Sequence, residues 1–281
     1  MDDEPFAVLM PRVMPECARE ALNGMYGWHK SVTPNPVDAY SAIWDALKRE
    51  AEAKRREGPV CNLYSNTMPP DAMVRLFKVK RSKIGNQPPL PAIFPRYDAP
   101  VVRLGEDGER ELVTMHWGFL MPQVSKKTGK PILLKAINNA RDDKLTTSSF
   151  WRQSFRQRRC LIPATSFCEA KGRKPATFYW FALTGEEERP PFAFAGIWSQ
   201  FRGRYRDREL VEIDTFSMIT TTPNELTRKV HPDRMPVILP PECYERWLYG
   251  DEEDGLHLLR PFPAELMCVV REDEGERADT A

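Results

Sequence analysis

The 281-residue chain has no run of about 18 consecutive apolar residues, so it holds no candidate membrane-spanning helix. Cysteine is sparse: Cys17, Cys61, Cys160, Cys168, Cys243 and Cys268 form no CxxC pair. That excludes a disulfide scaffold, and the six read as reduced thiols of a cytosolic protein. Only four histidines occur, and no spacing of His, Cys or carboxylates makes a zinc site, so no metal or cofactor is expected. No glycine-rich phosphate loop and no internal repeat is present. The first residues, MDDEPFAVLMPRVMPE, lack the cationic region of a secretory signal. What is present is 41% hydrophobic and 10% aromatic residues, enough for a folded core.

A net charge of +1 conceals an uneven distribution. Residues 1–60 carry eight basic and ten acidic side chains; residues 250–281 carry three and ten; the remaining 30 basic and 20 acidic residues lie in 61–249. A basic centre between acidic ends suits an anionic partner, nucleic acid first. On charge alone, a solvated surface is the slightly favoured reading.

Prolines at 11, 15, 34 and 36 break up the first stretch. Asp38–Glu57 then reads as a helix, with Tyr40, Ile43, Trp44 and Leu47 at helical spacing and Gly58-Pro59 ending it. From Val60 the character changes to short β-type runs, among them LVTMHWGFL, CLIPATSFCEA, FAFAGIW and EIDTFSMITTT, divided by Pro, Gly and charged turns. Helices are predicted near Asp71–Lys78 and Glu242–Leu248. This describes an α+β, mostly β, single domain over 61–250, preceded by a partly helical extension over 1–60. Residues 251–281 read as an acidic tail, disordered in its last part.

Four polar islands stand out: Cys61-Asn62-Leu63-Tyr64-Ser65-Asn66; Asn138-Asn139-Ala140-Arg141; RRCLIPATSFCEAKG with Arg158, Arg159 and Glu169; and TTTPNELTRKVHPDRMPVIL with Asn224, His231 and Arg234. In these residues the sequence resembles the SOS response-associated peptidase family of abasic-site-sensing proteins. The hallmarks are a cysteine at the mature N-terminus, Asn-Ala-Arg (here Asn139-Ala140-Arg141), CLIPA-x-x-F-x-E (Cys160 through Glu169) and H-x-R-M-P-V-I-L (His231 through Leu239). Trp117-Gly118 and Ala195-Gly196-Ile197-Trp198 are lesser matches. The resemblance covers roughly Cys61 to Leu248 and implies a mostly antiparallel, barrel-like β fold with a few peripheral helices. Where the family has an aromatic before the motif glutamate and Trp after it, this chain has Cys168 and Ala170.

The resemblance implies covalent capture of abasic sites in single-stranded DNA. An α-amine attacks the ring-opened aldehyde to give an imine, and a thiol two carbons away closes it to a thiazolidine. Only an N-terminal cysteine offers both groups, whereas a peptide nitrogen has its lone pair delocalised into the carbonyl. Cys61 is internal as written, so the expectation is a start at Val60 or cleavage after it. By motif, Cys61, Asn139, Glu169 and His231 form the catalytic set. Glu169 would shuttle protons, with its pKa raised by partial burial. His231 would protonate the sugar ring oxygen, and Asn139 would fix the Cys61 end or a phosphate. Arg141 would bind the DNA backbone, extended by Arg158 and Arg159, and Trp117 would stack beside the lesion. Without the motifs, each has a plainer role: core cysteine, solvated strand end, turn histidine, cap or core aromatic.

Two further functions stay open: a cysteine peptidase that removes its own first residues, with Cys61 as nucleophile, and a non-covalent single-strand binder. The protein is expected to be a cytoplasmic monomer, nucleoid-associated when on DNA, without a membrane partner and without cofactors.

Overall fold

The computed structural model describes residues 62–172, 175–186, 189–205, 208–273 and 279. Cys61, and the helix expected over Asp38–Glu57, lie outside them.

Among the described residues sixteen strands dominate. In chain order they are β1 (Tyr64–Asn66), β2 (Arg81–Ser82), β3 (Leu90–Ile93), β4 (Asp98–Leu104), β5 (Arg110–Trp117), β6 (Phe119–Val124), β7 (Pro131–Ile137) and β8 (Asn139–Arg141). There follow β9 (Arg159–Ala164), β10 (Ser166–Gly172), β11 (Ala176–Leu183), β12 (Phe192–Tyr205), β13 (Arg208–Thr221), β14 (Met235–Pro236), β15 (Ile238–Leu239) and β16 (Met267–Asp273). Five helices accompany them: α1 (Pro70–Leu76), α2 (Ser149–Gln157), α3 (Glu225–Arg228), α4 (Tyr244–Tyr249) and α5 (Glu252–His257). α1 and α4 fall where helices are predicted near Asp71–Lys78 and Glu242–Leu248. α2 is entered through Ser148, whose hydroxyl accepts from the Phe150 amide.

Strands β13, β12, β9, β4 and β5 are hydrogen-bonded in that order, and a parallel pairing of Thr215 and Phe216 with His116 and Trp117 returns β5 to β13. Five strands thus close on themselves, which leaves no free edge among them. The expected barrel-like, mostly antiparallel β fold with few helices is what the structure has. A second sheet runs β16-β11-β10-β1-β3, and β6 and β7 form a separate two-stranded ribbon.

The barrel strands read as continuous apolar runs because both of their faces are buried. Alternate side chains enter two cores. Val102, Leu112, Leu161, Ala193, Ala195 and Ile197 join Phe77, Phe155 and Trp247 from helical segments. Val101, Val113, Cys160, Ile162, Phe192 and Phe194 meet Tyr64, Phe167 and Phe181 of the second sheet.

Residues 251–273 correct one expectation. Their acidic composition suggests a tail, yet Asp251 and Asp254 form a reciprocal capping box that starts α5, and β16 pairs with β11 over Phe178–Leu183. Carboxylates at a helix N-terminus and on an edge strand serve structure and still count as net negative charge. The charged LTGEEERPP stretch joins β11 of one sheet to β12 of the other.

Candidate functional site

The residues that follow Cys61 are held at fixed places. The Leu63 carbonyl accepts from the Cys168 amide at 2.9 Å, and Tyr64 lies opposite Phe167. β1 is thereby paired with β10, the strand that carries Glu169. On the other side, Asn138 Nδ2 donates to Asn62 Oδ1 at 2.6 Å. The residue following Cys61 is therefore tied to the residue preceding Asn139, with Glu169 on the adjoining strand.

Asn138 is itself fixed from the core. Its carbonyl accepts from the indole Nε1 of Trp117 and from the Met218 amide, both at 2.9 Å. β8 then runs parallel to β13, with Asn139, Ala140 and Arg141 level with Met218, Ile219 and Thr220. Ala140 is fully buried, and its neighbours Asn139 and Arg141 alternate away from it.

Glu169 is only 4% exposed. It sits in β10 opposite Tyr179. His231 is also buried, in the turn after α3, where its own amide donates to the Thr227 carbonyl at 2.8 Å. The Arg234 amide donates to His231 Nδ1 at 3.2 Å, which leaves the proton of a neutral ring on Nε2. Arg234 links this turn to β8: Nη2 donates to Asp142 Oδ1 at 2.7 Å and to the Thr220 carbonyl, and Nε donates to Thr220 Oγ1 at 3.3 Å. Thr220 is the residue level with Arg141. The structure thus brings Asn139, Arg141 and the His231 turn into one connected assembly, with Asn62 and the Glu169 strand joined through Asn138.

Three expected DNA contacts are placed differently. Trp117 is completely buried, edge-on to Tyr64 at 5.0 Å and stacked on Phe216 at 6.1 Å, so its ring has no face for a base. Its motif position serves to hold Asn138. Arg159 is 6% exposed, and its guanidinium donates to three carbonyls: Trp247 at 2.6 Å, Asp251 at 2.8 Å, and Gly250. It clamps the end of α4 to the start of α5 and is not a phosphate ligand. Arg158 donates to the Trp198 carbonyl at 3.1 Å and to Ser154 Oγ at 3.0 Å, again within the protein. Burial lowers the pKa of both guanidinium groups, opposed at Arg159 by nearby acids.

Arg141 is different: it is exposed and forms a bidentate pair with Asp143, both contacts 2.9 Å. An anion reaching it must compete with that carboxylate. Asn224 is the N-cap of α3, accepting from the Thr227 amide at 2.9 Å and donating to the Phe262 carbonyl at 2.7 Å.

Cys160 and Cys168 are buried, and burial raises the Cys160 thiol far above its ordinary value. Cys243 is partly buried, with its thiol raised by burial and by Glu242. Among the described residues no group of three His, Cys, Asp or Glu is placed to hold a metal ion. No helix among them is long and apolar enough to cross a membrane.

Sequence reasoning passed over Asn62, Asn138 and Arg234 as positioning residues. Asn138 was visible only as the first half of an Asn-Asn doublet. Arg234 stood inside a recognised motif, but nothing local reveals that it bridges to Asp142, 92 positions earlier.

Comparison with known proteins identifies the family. The chain is 32% identical over 168 residues to the abasic site processing protein YoqW of Bacillus subtilis, covering 58% of this chain and 70% of that one. It is 30% identical over 171 residues to YobE of the same organism, an abasic site processing protein too, covering 58% and 72%. A crystal structure from Bordetella bronchiseptica superposes with a TM-score of 0.58 at 26% identity, over 74% of this chain and 97% of that one. One from Bacteroides thetaiotaomicron gives 0.58 at 23%, over 74% and 90%, a likeness of fold alone. The family model for SOS response associated peptidases matches residues 60–272, and the chain belongs to that family.

Proposed function

We propose that the protein captures abasic sites in single-stranded DNA as a covalent thiazolidine on Cys61, once Cys61 carries a free α-amine. The observation that carries this reading is the 2.6 Å hydrogen bond from Asn138 to Asn62, with the β1–β10 register. Together they hold the residue next to Cys61 between Asn139 and the Glu169 strand. Support also comes from relatives named abasic site processing proteins.

The chemistry follows from the groups. An α-amine with a pKa of about 7.7–8.0 has a useful neutral fraction near neutral pH. Its nitrogen adds to the aldehyde carbon of the open sugar, and loss of water gives the imine. The Cys61 sulfur then bonds to the imine carbon while its proton passes to the nitrogen, closing a five-membered ring with no net redox change. Glu169, buried on the adjoining strand, carries protons for water loss. His231 Nε2–H faces the sugar oxygen and promotes ring opening. Arg141 leaves Asp143 for a backbone phosphate, and Asn139 orients the captured end.

The test uses a chain that begins at Cys61, incubated with a single-stranded oligonucleotide bearing one abasic site and resolved on a denaturing gel. A shifted band is expected, lost in Cys61→Ala and after acetylation of the α-amine, and slowed in Glu169→Gln and His231→Ala. No shifted band from that chain refutes the proposal. Intact mass of the protein from its native host reads whether residues 1–60 are removed; their retention in every molecule would refute the free-amine requirement as met in the cell.

A further inference from the structure

The β6–β7 ribbon presents a surface that the capture chemistry leaves unused. Between Gly118 and Asn138 the sequence holds Lys126, Lys127, Lys130 and Lys135 and no acidic residue. All four lysines are exposed. So are Val124, Ile132 and Leu133, the last at 85%. The turn between the strands is closed by hydrogen bonds: the Ser125 amide donates to the Lys130 carbonyl at 2.9 Å, the Gly129 amide to the Ser125 carbonyl at 2.8 Å, and the Thr128 amide to Ser125 Oγ at 3.2 Å. On one face Leu133 and Lys135 alternate with inward residues, and Met121 lies opposite Lys135.

Two features select the occupant. The ribbon is continuous with the site, because Ile137 leads directly into Asn138, the residue that anchors Asn62. Its base is fastened to the body, with Arg96 Nη2 donating to the Leu134 carbonyl at 2.7 Å and Phe119 and Leu120 buried. A polyanion lying along the ribbon would meet four exposed ammonium groups and three exposed apolar side chains, distributed over its two faces and its turn. Phosphates suit the first and the faces of sugars and bases the second. Two-stranded ribbons are an established form for nucleic-acid contact.

We infer that residues 119–137 form a sequence-independent DNA-binding arm that holds the backbone flanking the lesion. The location of that lesion rests on the function proposed above, but the arm's affinity for DNA does not require it.

The test is therefore run on lesion-free DNA. A fluorescein-labelled single-stranded oligonucleotide of mixed sequence is titrated with wild-type protein and with the Lys126→Gln/Lys127→Gln/Lys130→Gln variant, by anisotropy, over a range of salt. Each lost phosphate contact lowers the slope of log K against log salt by about 0.7 for a single strand, so the slope should fall by about 2 and the affinity by roughly 10- to 50-fold near 0.15 M salt. Leu133→Ser should weaken binding by about 3- to 10-fold and leave the slope unchanged. The same number of charges removed from exposed positions around α1 (Arg75→Gln/Lys78→Gln/Lys80→Gln) should leave both quantities within twofold. An unchanged slope in the lysine variant overturns the inference, as does an equal loss in the α1 variant. Binding to vesicles of phosphatidylglycerol and phosphatidylcholine, or Leu133-dependent self-association in sedimentation, without DNA binding, also overturns it. Capture by Cys61 is scored separately on abasic DNA, so either idea can fail alone.

Discussion

Arg159 separates a structural clamp from a DNA ligand, and the two roles give opposite results on substitution. Its guanidinium donates to the carbonyls of Trp247, Gly250 and Asp251 and lies over the rings of Phe155 and Trp247, 5.8 and 5.5 Å from their centroids. Truncation by Arg159→Ala removes three charge-assisted donors and leaves a cavity against two aromatic rings. Hydrogen bonds to a charged group contribute about 1.5–3 kcal/mol each, but the three share one side chain and water reaches the opened end of α4. A total loss of about 3–5 kcal/mol is expected. With a urea m-value of about 2–3 kcal/mol/M for a domain of this size, the midpoint should fall by about 1–2 M with m unchanged.

The assay is urea unfolding followed by tryptophan fluorescence, paired with anisotropy on single-stranded DNA under native conditions. The clamp predicts the lowered midpoint and a salt slope equal to wild type. A midpoint within about 0.3 M of wild type, together with a salt slope reduced by about 0.7, would refute the reasoning and return Arg159 to the phosphate track. Arg159→Lys tests the geometry, because a single ammonium cannot serve three carbonyls at once, and it should recover less than half of the lost stability.

Three further outcomes follow from the same structure. Burial alone would raise the Glu111 carboxyl, but hydrogen bonds from Lys83 at 2.6 Å and Arg103 at 2.7 Å outweigh it and lower the pKa. That stability is present above the ordinary glutamate pKa and is lost as pH falls through the depressed one. Glu111→Gln should cost about 2–3 kcal/mol at pH 7, and the difference from wild type should shrink steadily below pH of about 4.5 in a pH series of unfolding curves. Gly118→Ala places a Cβ 2.8 Å from that of Ala136, at a φ of +119° where L side chains are strained; a loss of about 2–4 kcal/mol and a drop in melting temperature are expected. Trp117→Phe removes one of two donors to the Asn138 carbonyl; stability should fall by about 1–2 kcal/mol with DNA affinity unchanged within twofold, where a stacking residue would lose about 1–3 kcal/mol of binding.

Legibility in the sequence varied with how local each signal was. Runs such as CLIPA and FAFAGI read directly as β-type, and α1 and α4 lie near the two stretches predicted as helical. Motif residues Asn139, Glu169 and His231 could be named only through the family resemblance. Their joining could not, because it depends on contacts such as Asn62 with Asn138 and Arg234 with Asp142, which are 76 and 92 positions apart. Arg158, Arg159 and Trp117 misled for one reason. A basic or aromatic residue in a motif looks the same whether it faces a ligand or holds the frame, and only burial and hydrogen-bond partners distinguish the two.

That distinction bears on how a small site can be precise. Asn138 meets solvent-side chemistry through its amide, yet its carbonyl is gripped by Trp117, whose ring is locked between Tyr64 and Phe216. Tyr64 in turn belongs to the strand that begins two residues after Asn62. The same aromatic stack therefore fixes both partners of the Asn62–Asn138 hydrogen bond, one from each sheet, and any shift of β1 relative to β8 must also disturb fully buried rings. Close-packed interiors resist such shifts, so the site's precision is inherited from the core rather than from the exposed polar groups that line it. If that is the arrangement, Asn62→Ala should slow capture by about 2- to 10-fold through one lost hydrogen bond, while a cavity made by Phe216→Ala, with no contact to substrate, should slow it at least as much in molecules that remain folded. Equal capture rates in wild type and Phe216→Ala, measured at a temperature where both are native, would show that the exposed groups alone set the geometry.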